Sequence, residues 1–137
     1  MVRKLPLRAF TLIELLLVLV ILAVLASVAI PIYVGKMEKS LRDATITEIS
    51  HYKSALATFE IDNGRFPTTA EGLIALVQMP AGLEKSWNGP YIERISEDKW
   101  GHEYAYACPG SEGDNFYDLA SAAKDGIFGT ADDLTNK

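Results

Sequence analysis

Residues 10–34 read FTLIELLLVLVILAVLASVAIPIYV. From Leu15 to Val34 the run is 20 residues long, and only Ser27, Pro31 and Tyr33 depart from aliphatic side chains. As a helix, 20 residues rise about 30 Å, the thickness of a bilayer's hydrocarbon core. The cations before the run are Arg3, Lys4 and Arg8, with no acid among them. By the positive-inside tendency the N-terminus stays cytoplasmic and the following domain is exported.

Three readings of this segment compete. A cleaved signal peptide would use Ser27-Val28-Ala29 as a small-x-small site. The apolar run is longer than a usual signal core, however, and Pro31 would fall just past the cut. A plain signal anchor is the second reading. The third turns on Glu14, at the edge of the apolar block. A charge at the centre of a membrane helix costs roughly 2.5–3.5 kcal/mol, and less near its end. Thr11-Leu12-Ile13-Glu14 has capping-box spacing, so Glu14 could serve the backbone at the helix start. Alternatively, Glu14 pairs with a cation supplied by a neighbouring chain.

Arg8-Ala9-Phe10-Thr11-Leu12-Ile13-Glu14, then an apolar helix and Pro31, closely resembles a type IV pilin-like N-terminus. The resemblance implies that a membrane peptidase cuts between Ala9 and Phe10 and methylates the new amine. Ala9 stands where that class usually has Gly, and it is the next smallest residue. A Glu14 carboxylate could neutralise the Phe10 amine of an adjacent subunit, turning two costly charges into one pair.

Beyond Val34 the helix is expected to continue. Leu41, Ile49, Tyr52, Leu56 and Phe59 fall near one face at helical spacing, beside Ala44 and Ala55. Lys36, Glu38, Lys39, Arg42, Asp43, Glu48 and Lys53 occupy much of the rest. Asn63-Gly64 is a stop signal, giving one helix of about 50 residues, bent or loosened at Pro31. Thr68-Thr69-Ala70-Glu71 reads as a second capping box opening a helix of about ten residues. Leu73, Ile74, Leu76 and Val77 would be its buried face, with Pro80 at its end. A short strand is expected near Tyr91-Ile92, with others at Glu103–Cys108 and Phe116–Ala120. The fold class is α+β and pilin-like: a long N-terminal helix whose amphipathic half packs on a small antiparallel sheet.

Three further stretches sharpen the resemblance. Asp62-Asn63-Gly64-Arg65-Phe66-Pro67-Thr68-Thr69-Ala70-Glu71-Gly72-Leu73, Trp87-Asn88-Gly89-Pro90-Tyr91-Ile92 and Trp100-Gly101-His102-Glu103-Tyr104 look like the major pseudopilins of type II secretion systems. In Asp98-Lys99-Trp100 the family commonly has Pro at the middle position, so Lys99 is expected to loosen one turn slightly.

Asp125-Gly126-Ile127-Phe128-Gly129-Thr130-Ala131-Asp132-Asp133 places three carboxylates within nine residues. Hard divalent cations favour such oxygen ligands, but the spacing is not an EF-hand, and from chemistry alone a solvated acidic tail is the better reading. The resemblance implies a Ca2+ site with Asp125, Asp132 and Asp133 as carboxylate ligands. Main-chain oxygens of Ala122 and Ile127, together with Thr130, would complete it.

The totals agree with a small assembly protein. The chain has 137 residues, 49% of them hydrophobic, and a formal charge of −5. Without the three leader cations the count is 10 basic against 18 acidic, or −8, which phosphates would repel. One cysteine, Cys108, leaves no intrachain disulfide framework and no cysteine-based zinc site. It is expected to pack in a strand, and Trp87 and Trp100 to anchor loops on the core. His51 and His102 lie beside no nucleophile pattern, and no catalytic constellation appears.

The division expected is a leader at 1–9, a membrane and filament-core helix at 10–34, and an exported domain at 35–137. The resemblance implies the main subunit of a periplasmic pseudopilus, not an enzyme. Its partners would be copies of itself, minor pseudopilins, an inner-membrane platform, the prepilin peptidase and lipid. A type IV pilin of an adhesion or motility filament is the alternative, though such pilins often carry a C-terminal disulfide loop. A soluble exported binding domain freed by signal peptidase is the reading from another class.

Overall fold

The structure, a computed structural model, describes residues 10–113 and 116–137. Its elements are α1 (Leu12–Asn63), a 3-10 turn (Leu73–Leu76), and strands β1 (Ala105–Ala107), β2 (Asp118–Ser121) and β3 (Leu134–Thr135). The chain divides into two compact units between Glu38 and Lys39.

In the first unit no side chain from Phe10 to Met37 is buried. Leu12 is 87% exposed and Ile13 77%. Pro31 lies inside α1, and the helix is continuous through it.

In the second unit Thr45, Ile49, Tyr52, Ala55, Leu56 and Phe59 form the buried face of α1. Their three- and four-residue spacing follows the helical period. Against them lie Leu73, Leu76, Tyr104, Leu119 and Leu134, so one core joins helix, turn and sheet. Tyr52 meets Tyr104 edge-on at 5.2 Å between ring centres, and Phe59 meets Tyr91 at 5.5 Å. The opposite face is treated differently. The hydroxyls of Thr47, Ser50, Ser54 and Thr58 donate to their own helix, to the carbonyls of Asp43, Ile46, Ser50 and Ser54, at 2.9–3.1 Å.

Gly64 terminates α1 at φ +70°, its N–H donating to Glu60 O at 2.7 Å. The Tyr91 hydroxyl fastens this end. It accepts from Asn63 Nδ2 at 3.2 Å and Asn88 N–H at 3.1 Å, and donates to Asp62 Oδ2 at 2.9 Å.

The capping box at Thr68–Glu71 forms, but it does not open a ten-residue helix. Gly72 follows it at φ 60°, ψ −171°, outside helical space, so only Leu73–Leu76 coils. Consequently Ala75 is buried where Ile74 was expected, and Ile74 is 48% exposed.

The sheet order is β1-β2-β3, antiparallel throughout, with Ala105 opposite Ala120 and Ser121 opposite Leu134. The strands are shorter than expected, and β3 had no sequence signal. Tyr91 and Ile92 form no strand; both N–H groups turn to Leu76 O, at 2.8 and 3.4 Å. Trp87 and Trp100 are half-buried against the core. Cys108 follows β1 rather than lying in it, and exchanges hydrogen bonds with Thr69.

Lys99 opposes the expected loosening. Its N–H donates to the buried Thr45 hydroxyl at 3.3 Å, and its Nζ lies 2.9 Å from Glu48 Oε2. A proline there would have neither donor.

Candidate functional site

Two regions carry the residues singled out by sequence. The first is the start of α1. The Glu14 N–H lies 3.3 Å from the Thr11 hydroxyl and 3.2 Å from the Thr11 carbonyl. Thr11 therefore caps the helix, and half of the capping box exists. Among the described residues the Glu14 carboxylate makes no return bond. Phe10, at the head of the segment, is 73% exposed. Ala9, on the other side of the expected cut, lies outside the described residues.

The second region is the loop from Ala122 to Asp133, which leaves β2 and returns as β3. Glycine permits its tight turns, with Gly126 at φ +70° and Gly129 at φ +91°. Each acid satisfies a loop amide. Asp125 Oδ1 accepts from Ile127 N at 2.9 Å, and Asp133 Oδ2 from Gly129 N at 2.7 Å. Asp132 Oδ2 lies 3.4 Å from Asp125 N. The Thr130 hydroxyl sits among three oxygens: Asp132 Oδ1 at 2.5 Å, Ile127 O at 3.2 Å and Asp133 Oδ1 at 3.5 Å. That hydroxyl, with amides of the loop, holds the Asp132 carboxyl below its ordinary range. Arg42 reaches the Asp132 carbonyl at 3.4 Å.

The donor set fits a hard cation in kind: three carboxylates, a hydroxyl and main-chain carbonyls, all oxygen. Among the described residues no three His, Cys, Asp or Glu side chains are grouped so as to hold an ion. Carbonyl and hydroxyl oxygens would therefore have to share the coordination. Ala122 is buried at the foot of the loop, whereas Ile127 is 62% exposed at its tip.

A third arrangement had no sequence signal. The turn at residues 98–102 supports the loop from beneath. Buried Asp98 accepts from Trp100 N and His102 N, each at 2.9 Å, and from the Ser121 hydroxyl at 2.5 Å. Burial alone would raise its carboxyl pKa, but these bonds outweigh burial and lower it. The separation of 23 residues between Asp98 and Ser121 hides the arrangement from any local motif.

Residues 32–137 match the family model described as type II secretion system protein G. Residues 8–30 match the prokaryotic N-terminal methylation motif. The chain belongs to the type II secretion system protein G family.

Among curated members of that family, the type II secretion system core protein G of Escherichia coli K12 is 41% identical over 132 residues, 94% of this chain and 90% of the relative. Its counterpart in Pseudomonas aeruginosa is 36% identical, covering 90% of this chain and 87% of the relative. The crystal structure of the major pseudopilin from the type 2 secretion system of enterohaemorrhagic E. coli superposes with a TM-score of 0.62. It is 34% identical, and the match covers 75% of this chain and 91% of that one. The two chains thus share their fold over the matched residues.

Proposed function

We propose that this protein is the major structural subunit of a type II secretion pseudopilus and has no catalytic role. The precursor is a single-pass inner-membrane protein with its N-terminus in the cytoplasm and residues 35–137 in the periplasm. A prepilin peptidase removes residues 1–9 by cutting between Ala9 and Phe10, and methylates the Phe10 amine. Subunits then leave lipid and polymerise into a periplasmic filament that drives folded proteins across the outer membrane. Minor pseudopilins and an inner-membrane platform assist.

The observation carrying this reading is the apolar stretch Leu12–Val34, none of which is buried within its own chain. At about 25 cal/mol per Å2, so much apolar surface must be covered by lipid or by other copies. The Glu14 carboxylate, with no partner among the described residues, supplies the register: it meets the Phe10 amine of the next subunit and removes two membrane-depth charges at once.

Ca2+ is proposed as the resident ion of the loop after β2. Asp125, Asp132 and Asp133 would hold it with the carbonyls of Ala122 and Ile127 and the hydroxyl of Thr130. Bound there, the cation would supply the positive charge needed to draw the three carboxylates together. The residues themselves keep the last strand, β3, against β2.

Intact mass of the native product tests the processing step. A mass beginning at Phe10 with one added methyl group is expected, and a start near Ala29 would overturn the filament reading. Imaging after overexpression tests the register. Filaments should be plentiful from the parent and scarce from Glu14→Ala, and equal yields would remove the role given to Glu14.

A further inference from the structure

The imidazole of His102 lies against the main chain of Gly126. A Cβ at Gly126 would stand 2.9 Å from His102 Nε2 and 3.2 Å from Cε1. Only glycine brings backbone and ring this close, and φ +70° demands glycine as well. Gly126 sits between two of the proposed donors, Asp125 and Ile127, so any shift of Gly126 moves both.

The main chain that carries the ring is itself fixed. His102 N–H donates to Asp98 Oδ1 at 2.9 Å, and His102 O accepts from Asp98 N at 2.8 Å. Its Nδ1 is buried, has no hydrogen-bond partner among the described residues, and stands 3.7 Å from Asp98 Oδ2. The same carboxylate takes the Ser121 hydroxyl, whose oxygen accepts from Ala123 N at 3.0 Å. One turn therefore grips the loop twice, at Ser121–Ala123 and at Gly126.

We propose that His102 is a positioning residue for the cation loop: its ring is a backstop that sets Gly126, and through it the Asp125 and Ile127 donors, without itself touching the ion. This rests on the Ca2+ reading above. Outer-shell supports of metal ligands typically change affinity by about 10–100-fold when removed. Removing the ring opens a gap behind Gly126 and lets the two donors drift.

The test uses the full chain in detergent micelles. Ca2+ affinity is measured by calorimetric titration, and melting is followed in excess Ca2+ and in chelator. His102→Ala is expected to weaken Ca2+ binding by about 10-fold or more while melting in chelator stays at the wild-type temperature. His102→Phe, which keeps a flat ring behind Gly126, should restore most of the affinity. In the His102→Ala background, Gly126→Ala should cost less affinity than in wild type, because its Cβ no longer meets a ring.

Wild-type affinity in His102→Ala would overturn the proposal while leaving the Ca2+ site standing. So would a fall in chelator melting that matches the fall in Ca2+, since that marks general loosening. No Ca2+ binding by the wild-type chain would remove the site reading and this inference together.

Discussion

Arg65 and Glu71 face each other fork to fork, with Nη1–Oε2 and Nη2–Oε1 both at 2.7 Å. The same carboxylate accepts from Thr68 N at 2.8 Å, while Glu71 N donates to the Thr68 hydroxyl at 3.2 Å. A capping box and an ion pair thus share one side chain. The turn between helix and sheet is held by it.

The Arg65 guanidinium, followed by the Thr68 bonds, lowers the Glu71 pKa to about 2. An unfolded Glu titrates near about 4.3. The folded value is the lower one, so its stabilisation is complete above the unfolded value and lost as pH falls through 4 toward 2. Melting in chelator should drop steeply over that window. Glu71→Gln should melt lower at pH 7 and flatten the drop, and an unchanged profile would deny the pair its role.

Asp98 presents a second acid-sensitive point. Asp98→Ala leaves the Ser121 hydroxyl and two N–H groups without their acceptor, at about 1–3 kcal/mol for each one stranded in the interior. Denaturant unfolding should show a loss of at least about 3 kcal/mol. Asp98→Asn, which keeps the acceptor oxygen, should lose less.

The Tyr91 hydroxyl joins Asp62, Asn63 and Asn88 at the end of α1. Tyr91→Phe keeps the ring against Phe59 and removes only the oxygen. We expect a cost of about 1–2 kcal/mol and faster amide exchange over Glu60–Asn63. Exchange equal to wild type would show that the helix end holds without it.

Ca2+ should stabilise the fold by mass action, by about 2.7 kcal/mol when present at 100 times its dissociation constant, and so raise its melting temperature. Asp132→Asn should lose most of that increment and leave melting in chelator nearly unchanged. Equal melting of the parent in Ca2+ and in chelator would contradict the site.

Much of this was legible in sequence because it is local. Helical spacing marks the buried face from Ile49 to Phe59, although Leu41 and Ala44 are only half-buried and buried Thr45 carries no apolar signal; Asn63-Gly64 marks its end, and Thr68–Glu71 marks a cap. What misled was a helix expected to run through Gly72, whose backbone turns away from helical space. Strand β3 was missed because two residues carry no alternation, and its pairing with β2 is visible only in three dimensions. The acids of the loop are visible by type, but only the resemblance to the family, not their spacing, reads them as ligands. Their support by Asp98, His102 and Ser121 could not be read, since nothing in one dimension sets an imidazole beneath a glycine.

The four hydroxyls turned inward along α1 carry one more meaning. By composition, the stripe through Thr47, Ser50, Ser54 and Thr58 scores as wet. Yet each proton is already spent on a carbonyl four residues back, and methyls and methylenes are left facing out. Water can be stripped from such a stripe without stranding a donor, so hydropathy scales understate how readily it goes dry.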